Sequence, residues 1–159
     1  MRAFVDSDHA GDIVTRISRT GFIIYSNSAP ICLYSKKQTS IETSSFGAQF
    51  IAMKLCCEHI RGLRYKLRMM GIAVDLPLFV FGDNQSVLSN TSSPHSKLKK
   101  KSSSIAYYFV REGVAKGEWC TTYLNTNLNP SDMLTKSLPG GEKRTRFTSS
   151  ILYYLYDQS

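Results

Sequence analysis

Phe79-Val80-Phe81-Gly82-Asp83-Asn84-Gln85-Ser86 is an apolar, β-prone run stopped by a glycine and an acid. From Leu78 to Phe81 the apolar character is unbroken, as expected of a buried central strand, and Gly82-Asp83-Asn84 ends it. Upstream the period is different. Phe46, Phe50, Met53, Cys57, Ile60, Leu63, Leu67 and Met70 recur at steps of three and four, which marks one face of an amphipathic helix. Ser44 or Ser45 can cap its start and Gly71 can end it. Lys54, Arg61, Arg64 and Arg68 occupy the opposite side, a stripe expected to face solvent or phosphate.

Working outward, Arg2 to Val5, Gly21 to Tyr25 and Ile31 to Tyr34 read as three short strands, with Asn27-Ser28-Ala29-Pro30 turning between the last two. Beyond Asp83, Asn90 to Lys101 is polar and reads as an exposed loop. Ser102 to Lys116 predicts a second helix, Trp119 to Leu124 a last strand, and Pro130 to Ser137 a short helix with proline in its first turn. A basic and aromatic tail, Lys143 to Tyr156, follows Pro139-Gly140-Gly141 and can form a helix. The order predicts an α/β fold, a mixed sheet flanked by helices. We expect one domain over 1–138 and a tail over 139–159.

A chain of 159 residues, 42% hydrophobic and 20% charged, suffices for one good core. The net charge of +8 favours a polyanionic partner, because neutralised phosphates release counterions. Cys32, Cys56, Cys57 and Cys120 form no C-x-x-C pair and read as core hydrophobes in a reducing compartment. His9, His59 and His95 lack zinc spacing. No apolar run is long enough to span a bilayer, and no signal peptide is evident. A strand follows Met1 so abruptly that the domain is expected to be cut from something longer. Trp119, Tyr107 and Tyr108 read as core, and the Tyr153-Tyr154-Leu155-Tyr156 tail as packing.

Three acids stand out by context. Asp6 ends Phe4-Val5-Asp6-Ser7-Asp8, Asp83 ends the run quoted above, and Asp132 opens the helix in Asn129-Pro130-Ser131-Asp132-Met133-Leu134-Thr135-Lys136. Taken singly, each reads as a turn or cap residue. Together, at strand ends that open to a cleft, they are candidates to hold two Mg²⁺ (or Mn²⁺) ions roughly 3.5–4 Å apart for phosphodiester hydrolysis.

The local motifs narrow this further. Asp6-Ser7-Asp8-His9-Ala10-Gly11-Asp12, with Arg16, Ser18, Thr20, Gly21 and Phe22, resembles the opening of the ribonuclease H domain of copia-type LTR retrotransposon Pol polyproteins. So do Ser35-Lys36-Lys37-Gln38-Thr39, Asp83-Asn84-Gln85-Ser86, Tyr108-Phe109-Val110-Arg111-Glu112 and Asp132-Met133-Leu134-Thr135-Lys136, in family order. The resemblance implies a ribonuclease H-like fold with a five-stranded mixed sheet. It implies endonucleolytic cleavage of RNA in an RNA–DNA hybrid, beside a reverse transcriptase in one polyprotein, inside the cell in a cytoplasmic virus-like particle. Asp6, Asp83 and Asp132 match the family's metal-binding aspartates. Lys97, Lys99, Lys100 and Lys101 lie where a basic patch could track the hybrid backbone; the bland alternative is a solvated loop.

The fourth catalytic position departs from the pattern. The family carries glutamate in an Ala-Glu-(Tyr/Phe) segment, and this chain has Ala48-Gln49-Phe50. Glutamine is nearly isosteric but neutral, and one of its oxygens has become a donor. A charge lost at close range in a partly buried cleft is worth several kcal/mol at an effective dielectric near 20, and about 1.4 kcal/mol is tenfold in rate. A severe loss of activity is expected. Glu58 lies roughly 13 Å along the helix and cannot compensate; Glu42 precedes the cap, and Asp8 and Asp12 lie in the first loop, from which Asp8 could approach the site. The helix itself is undamaged, since glutamine is a good helix former. The alternatives to a working enzyme are a hybrid-binding module that cannot cleave and a folded remnant of an inactive element.

Overall fold

The computed structural model describes residues 1–11, 14–39, 42, 44–92 and 104–152. Strands β1 (Arg2–Asp8), β2 (Arg19–Ser26) and β3 (Ala29–Lys37) make an antiparallel meander, and β4 (Leu78–Gly82) and β5 (Trp119–Tyr123) continue the sheet in parallel from β1. The strand order is β3-β2-β1-β4-β5, the mixed five-stranded sheet expected from the sequence. The helices are α1 (Ser45–Met69), α2 (Gln85–Ser92), α3 (Ser104–Ala115), α4 (Asp132–Thr135) and α5 (Glu142–Ile151).

Helix α1 forms as its sequence pattern dictates. Ser44 is extended and its hydroxyl accepts the Gly47 N–H at 3.3 Å, while Gly71 ends the helix at φ +77°, a conformation cheap only for glycine. Its apolar face, with Phe50, Met53, Cys57 and Ile60, packs on Ala3, Val5, Phe22, Ile24 and Val80 of the sheet. Each fully buried side chain of this size contributes about 1.5–3 kcal/mol, so this layer dominates the stability. Helix α3 closes the same face, and the Trp119 indole donates to the Val110 carbonyl at 3.0 Å.

Several local expectations are corrected. Strand β4 is not buried on both faces: Leu78 and Val80 are buried but Phe79 is half exposed, stacked with Phe81 on the far side of the sheet. Residues 90–92 belong to α2, not to a loop. The Asn84 side chain starts that helix by accepting the Val87 N–H at 3.2 Å, and Thr91 ties it to Thr121 at 2.8 Å. Only Val87 and Leu88 supply an apolar signal there, too little for periodicity to register. Arg64 faces inward. The residue is 5% exposed and its guanidinium donates to the carbonyls of Val74, Leu76 and Glu118, while Arg61 pairs with the Glu118 carboxylate at 2.6 Å. Tyr107 is core but Tyr108 is exposed; Cys56 and Cys57 are core but Cys120 is exposed. Among the described residues no helix is long and apolar enough to cross a membrane.

Candidate active site

The carboxylates meet where β1 and β4 run parallel. Asp6 lies on β1 opposite Gly21 of β2 and is 1% exposed. Gly21 is required here by close approach: a Cβ would stand 2.9 Å from Leu134 Cβ and 3.1 Å from the Ser131 carbonyl oxygen, so α4 lies directly on β2. The segment before α4 is sewn to β1. Asn129, fully buried, donates to the Val5 carbonyl at 3.0 Å and accepts from the Ser131 hydroxyl at 2.6 Å. These contacts carry Asp132, the first residue of α4, to the side of Asp6.

The Ser35-to-Thr39 motif braces the site from the other edge. The Ser35 hydroxyl donates to the Leu134 carbonyl at 2.6 Å. Buried Gln38 donates to Thr20 Oγ1 at 3.0 Å and to the Ala48 carbonyl at 2.9 Å, fixing the first turn of α1. That turn presents Gln49 to the carboxylates. Its Nε2 donates to Asp6 Oδ1 and to Asp83 Oδ1, each at 3.2 Å. Ionised carboxylates only accept, so the amide must turn its NH₂ toward both. Glutamine thus bridges the two acids with two protons, where the glutamate that the resemblance implies would add a third charge.

The remaining oxygens are also taken. Thr135 Oγ1 donates to Asp6 Oδ2 and Thr126 Oγ1 to Asp83 Oδ2, the latter at 2.9 Å. Lys136 binds Asp132 Oδ1 at 2.7 Å and approaches Asp6 Oδ2 at 3.7 Å; Lys143 of α5 binds Asp132 Oδ2 at 2.5 Å. Burial works to raise the Asp132 carboxyl, but the bonds from the two lysines outweigh it and hold the group below the ordinary carboxylate range. Burial, then repulsion from Asp6, pushes Asp83 up. Burial raises Asp8 as well; Lys136 works against this, and repulsion from Asp6 and Asp132 adds to it. Gln49, Asp83, Asn84 and Tyr123 line an open trough of about 530 Å³.

These donors do not fit the two-ion centre that the resemblance implies. Among the described residues no group of three His, Cys, Asp or Glu side chains is arranged to hold a metal ion. The hydrogen bonds give the chemical reason: the carboxylates face an amide, two hydroxyls and two ammoniums, all donors. Asp6, Gln49 and Asp83 are brought together, and Asp132 joins them through Lys136. Glu58 pairs with Lys54 at 2.7 Å. Lys97, Lys99, Lys100 and Lys101 lie outside the described residues, as does Asp12.

No protein-family model matches the chain. Curated relatives do: the Pol polyproteins of transposon RE2 from Arabidopsis thaliana, 28% identical over 138 residues, and of transposon TNT 1-94 from Nicotiana tabacum, 29% over 139 residues. Each match covers 87% of this chain. The chain is homologous to copia-type retrotransposon Pol polyproteins. It spans about a tenth of their length. Among solved structures, ribonuclease H1 from the archaeon Halobacterium salinarum NRC-1 aligns with a TM-score of 0.63 at 14% identity, over 84% of this chain and 92% of that one. LC11 ribonuclease H1, solved with an RNA/DNA hybrid, aligns at 0.64 and 13% over the same shares. The fold is that of ribonuclease H.

Within this ribonuclease H fold, sequence reasoning overlooked Lys136, Lys143, Thr126 and Thr135 as partners of the acids. Lys136 was findable, because an acid and a lysine four apart share a helix face. Lys143 was not, since its contact depends on how Pro139-Gly140-Gly141 redirects the chain.

Proposed function

We propose that this chain is the ribonuclease H domain of a retrotransposon Pol polyprotein, directed at the RNA strand of an RNA–DNA hybrid, with hydrolysis disabled at its own carboxylate centre. Its working context would be beside a reverse transcriptase domain in the cytoplasm, within a virus-like particle. The observation that carries this reading is the Gln49 amide donating to both Asp6 and Asp83 inside a ribonuclease H sheet. Asp6, Gln49, Asp83 and Asp132 are the inherited catalytic set, and Asp6, Asp83 and Asp132 its ancestral Mg²⁺ or Mn²⁺ ligands. One charge missing at about 4 Å corresponds to roughly 4 kcal/mol at an effective dielectric of 20, or about a thousandfold in rate.

Binding is the capacity that glutamine leaves intact. The +8 net charge supports attraction to a polyanion, with Lys97, Lys99, Lys100 and Lys101 as candidate backbone contacts. The test is hydrolysis of a labelled RNA–DNA hybrid in Mg²⁺ and in Mn²⁺ by this chain and by Gln49→Glu, with hybrid binding measured across salt concentrations. The unmodified chain should bind with a steep salt dependence and leave the RNA intact. Equal cleavage by both proteins would overturn the disabled-centre reading, and absence of binding would leave a folded remnant.

A further inference from the structure

Lys143 is out of place for a helix. It sits in the first turn of α5, where the positive end of the dipole disfavours a cation, yet its ammonium is directed to a carboxylate 2.5 Å away. Helix α5 is held on the sheet side by buried Phe147, and the Tyr25 hydroxyl donates to the Ser150 carbonyl at 3.4 Å near its end. Arg146 donates to the Asn127 carbonyl. The helix is therefore pinned at Arg146, Phe147 and Ser150, with Lys143 as the end that enters the acid cluster. With Lys136 on Oδ1 and Lys143 on Oδ2, both oxygens of Asp132 carry an ammonium.

We propose that Lys143 is a tethered internal counter-ion: α5 docks it on Asp132, so that α5 docking and divalent-cation binding at this carboxylate exclude one another. The inference rests on the descent of the centre from a metal-dependent ribonuclease H. It adds that restoring the glutamate alone does not restore full metal affinity. A divalent ion that uses Asp132 must displace a bonded ammonium, and with it the contact that ties the first turn of α5 to the acid. In the chain as it stands, Lys136, Lys143 and the Gln49 amide together offset the acids without any ion.

The test reads metal binding and not turnover. Mn²⁺ is titrated calorimetrically into Gln49→Glu, Gln49→Glu/Lys143→Met and Gln49→Glu/Arg144→Met; Arg144 is exposed and makes no contact with the acids, so it controls for net charge. Removing Lys143 should tighten Mn²⁺ about tenfold, while Arg144→Met should stay within about threefold of the parent. A gain below about threefold for Lys143→Met, or the same gain for Arg144→Met, overturns the proposal. A second measurement needs no change at Lys143: saturating Mn²⁺ should speed exchange of the Thr145 amide, which closes the first turn of α5 on the Gly141 carbonyl at 3.1 Å, in Gln49→Glu, and unchanged protection there would also overturn it. Failure of the disabled-centre reading is separate, because it appears as hybrid cleavage by the unmodified chain.

Discussion

Asn129 reaches across 124 positions of sequence to donate its side-chain amide to the Val5 carbonyl at 3.0 Å, one residue before Asp6. This bond joins the strand that carries the first acid to the turn that carries the last. Both partners are buried, so removing the amide leaves a carbonyl without its donor. Asn129→Ala should cost about 1–3 kcal/mol and lower Tm by roughly 2–12 °C, with the far-ultraviolet circular dichroism of the folded state unchanged. A Tm within about 1 °C of the parent would show that α4 is placed by something else.

Arg64 is a structural cation on a helix face that the sequence assigned to solvent. Its three carbonyl partners come from two segments, Val74–Leu76 and Glu118, that no regular hydrogen bonding joins to α1. Arg64→Ala should destabilise by about 2–4 kcal/mol in chemical denaturation. Lysine should recover little of this, because one ammonium cannot reproduce the guanidinium fork. Full rescue by Arg64→Lys would refute the carbonyl-clamp account.

The two flanking acids should respond to pH with opposite signs. Asp132 is held below its ordinary value of 3.8, so its charge contributes stability above that pH and loses it as pH falls through the lower folded value. Asp132→Asn should therefore be less stable than the parent at neutral pH, with the gap closing below pH 3.8. Asp83 is raised above 3.8, so its protonated form is the favoured one in the fold. Its contribution is fully present below pH 3.8 and is lost as pH rises through the folded value. Asp83→Asn should gain on the parent as pH rises through that window. Melting curves from pH 2.5 to 7 measure both; parallel profiles for the two variants would contradict the assigned shifts.

Gly21 should be intolerant of even a methyl group. A Cβ there meets the backbone and Cβ atoms of α4 at 2.9–3.1 Å, with no flexible side-chain end to yield except Thr135. Gly21→Ala should cost about 1–3 kcal/mol by overpacking and should loosen Asp132, visible as faster amide exchange in residues 131–136. An alanine variant as stable as the parent would mean that α4 is not seated on β2.

Much of this was legible in the chain itself. The 3.6-residue recurrence from Phe46 to Met70, the Ser44 cap and the Gly71 stop specify α1 locally, and the structure follows them to within a residue. Two short apolar runs and the turn residues from Asn27 to Pro30 specify the β2–β3 hairpin. Helix α2 was hidden because its two apolar residues are too few to set a period and its start depends on the Asn84 side chain. Arg64 was misassigned because helical periodicity locates a face but not what the neighbouring loop brings to it.

The sequence determined most of the elements and their order, and it singled out Asp6, Gln49, Asp83 and Asp132, including the neutral one, as the candidate site. Those are properties of short stretches, governed by side-chain period, capping and turn conformations. Only the tertiary structure decided what the acids touch. Whether Gln49 points its amide at one carboxylate or two, and whether Lys143 reaches Asp132 from a separate helix, depends on contacts between segments far apart in sequence. Electrostatic energy falls with distance through space, and spacing along the chain does not fix that distance.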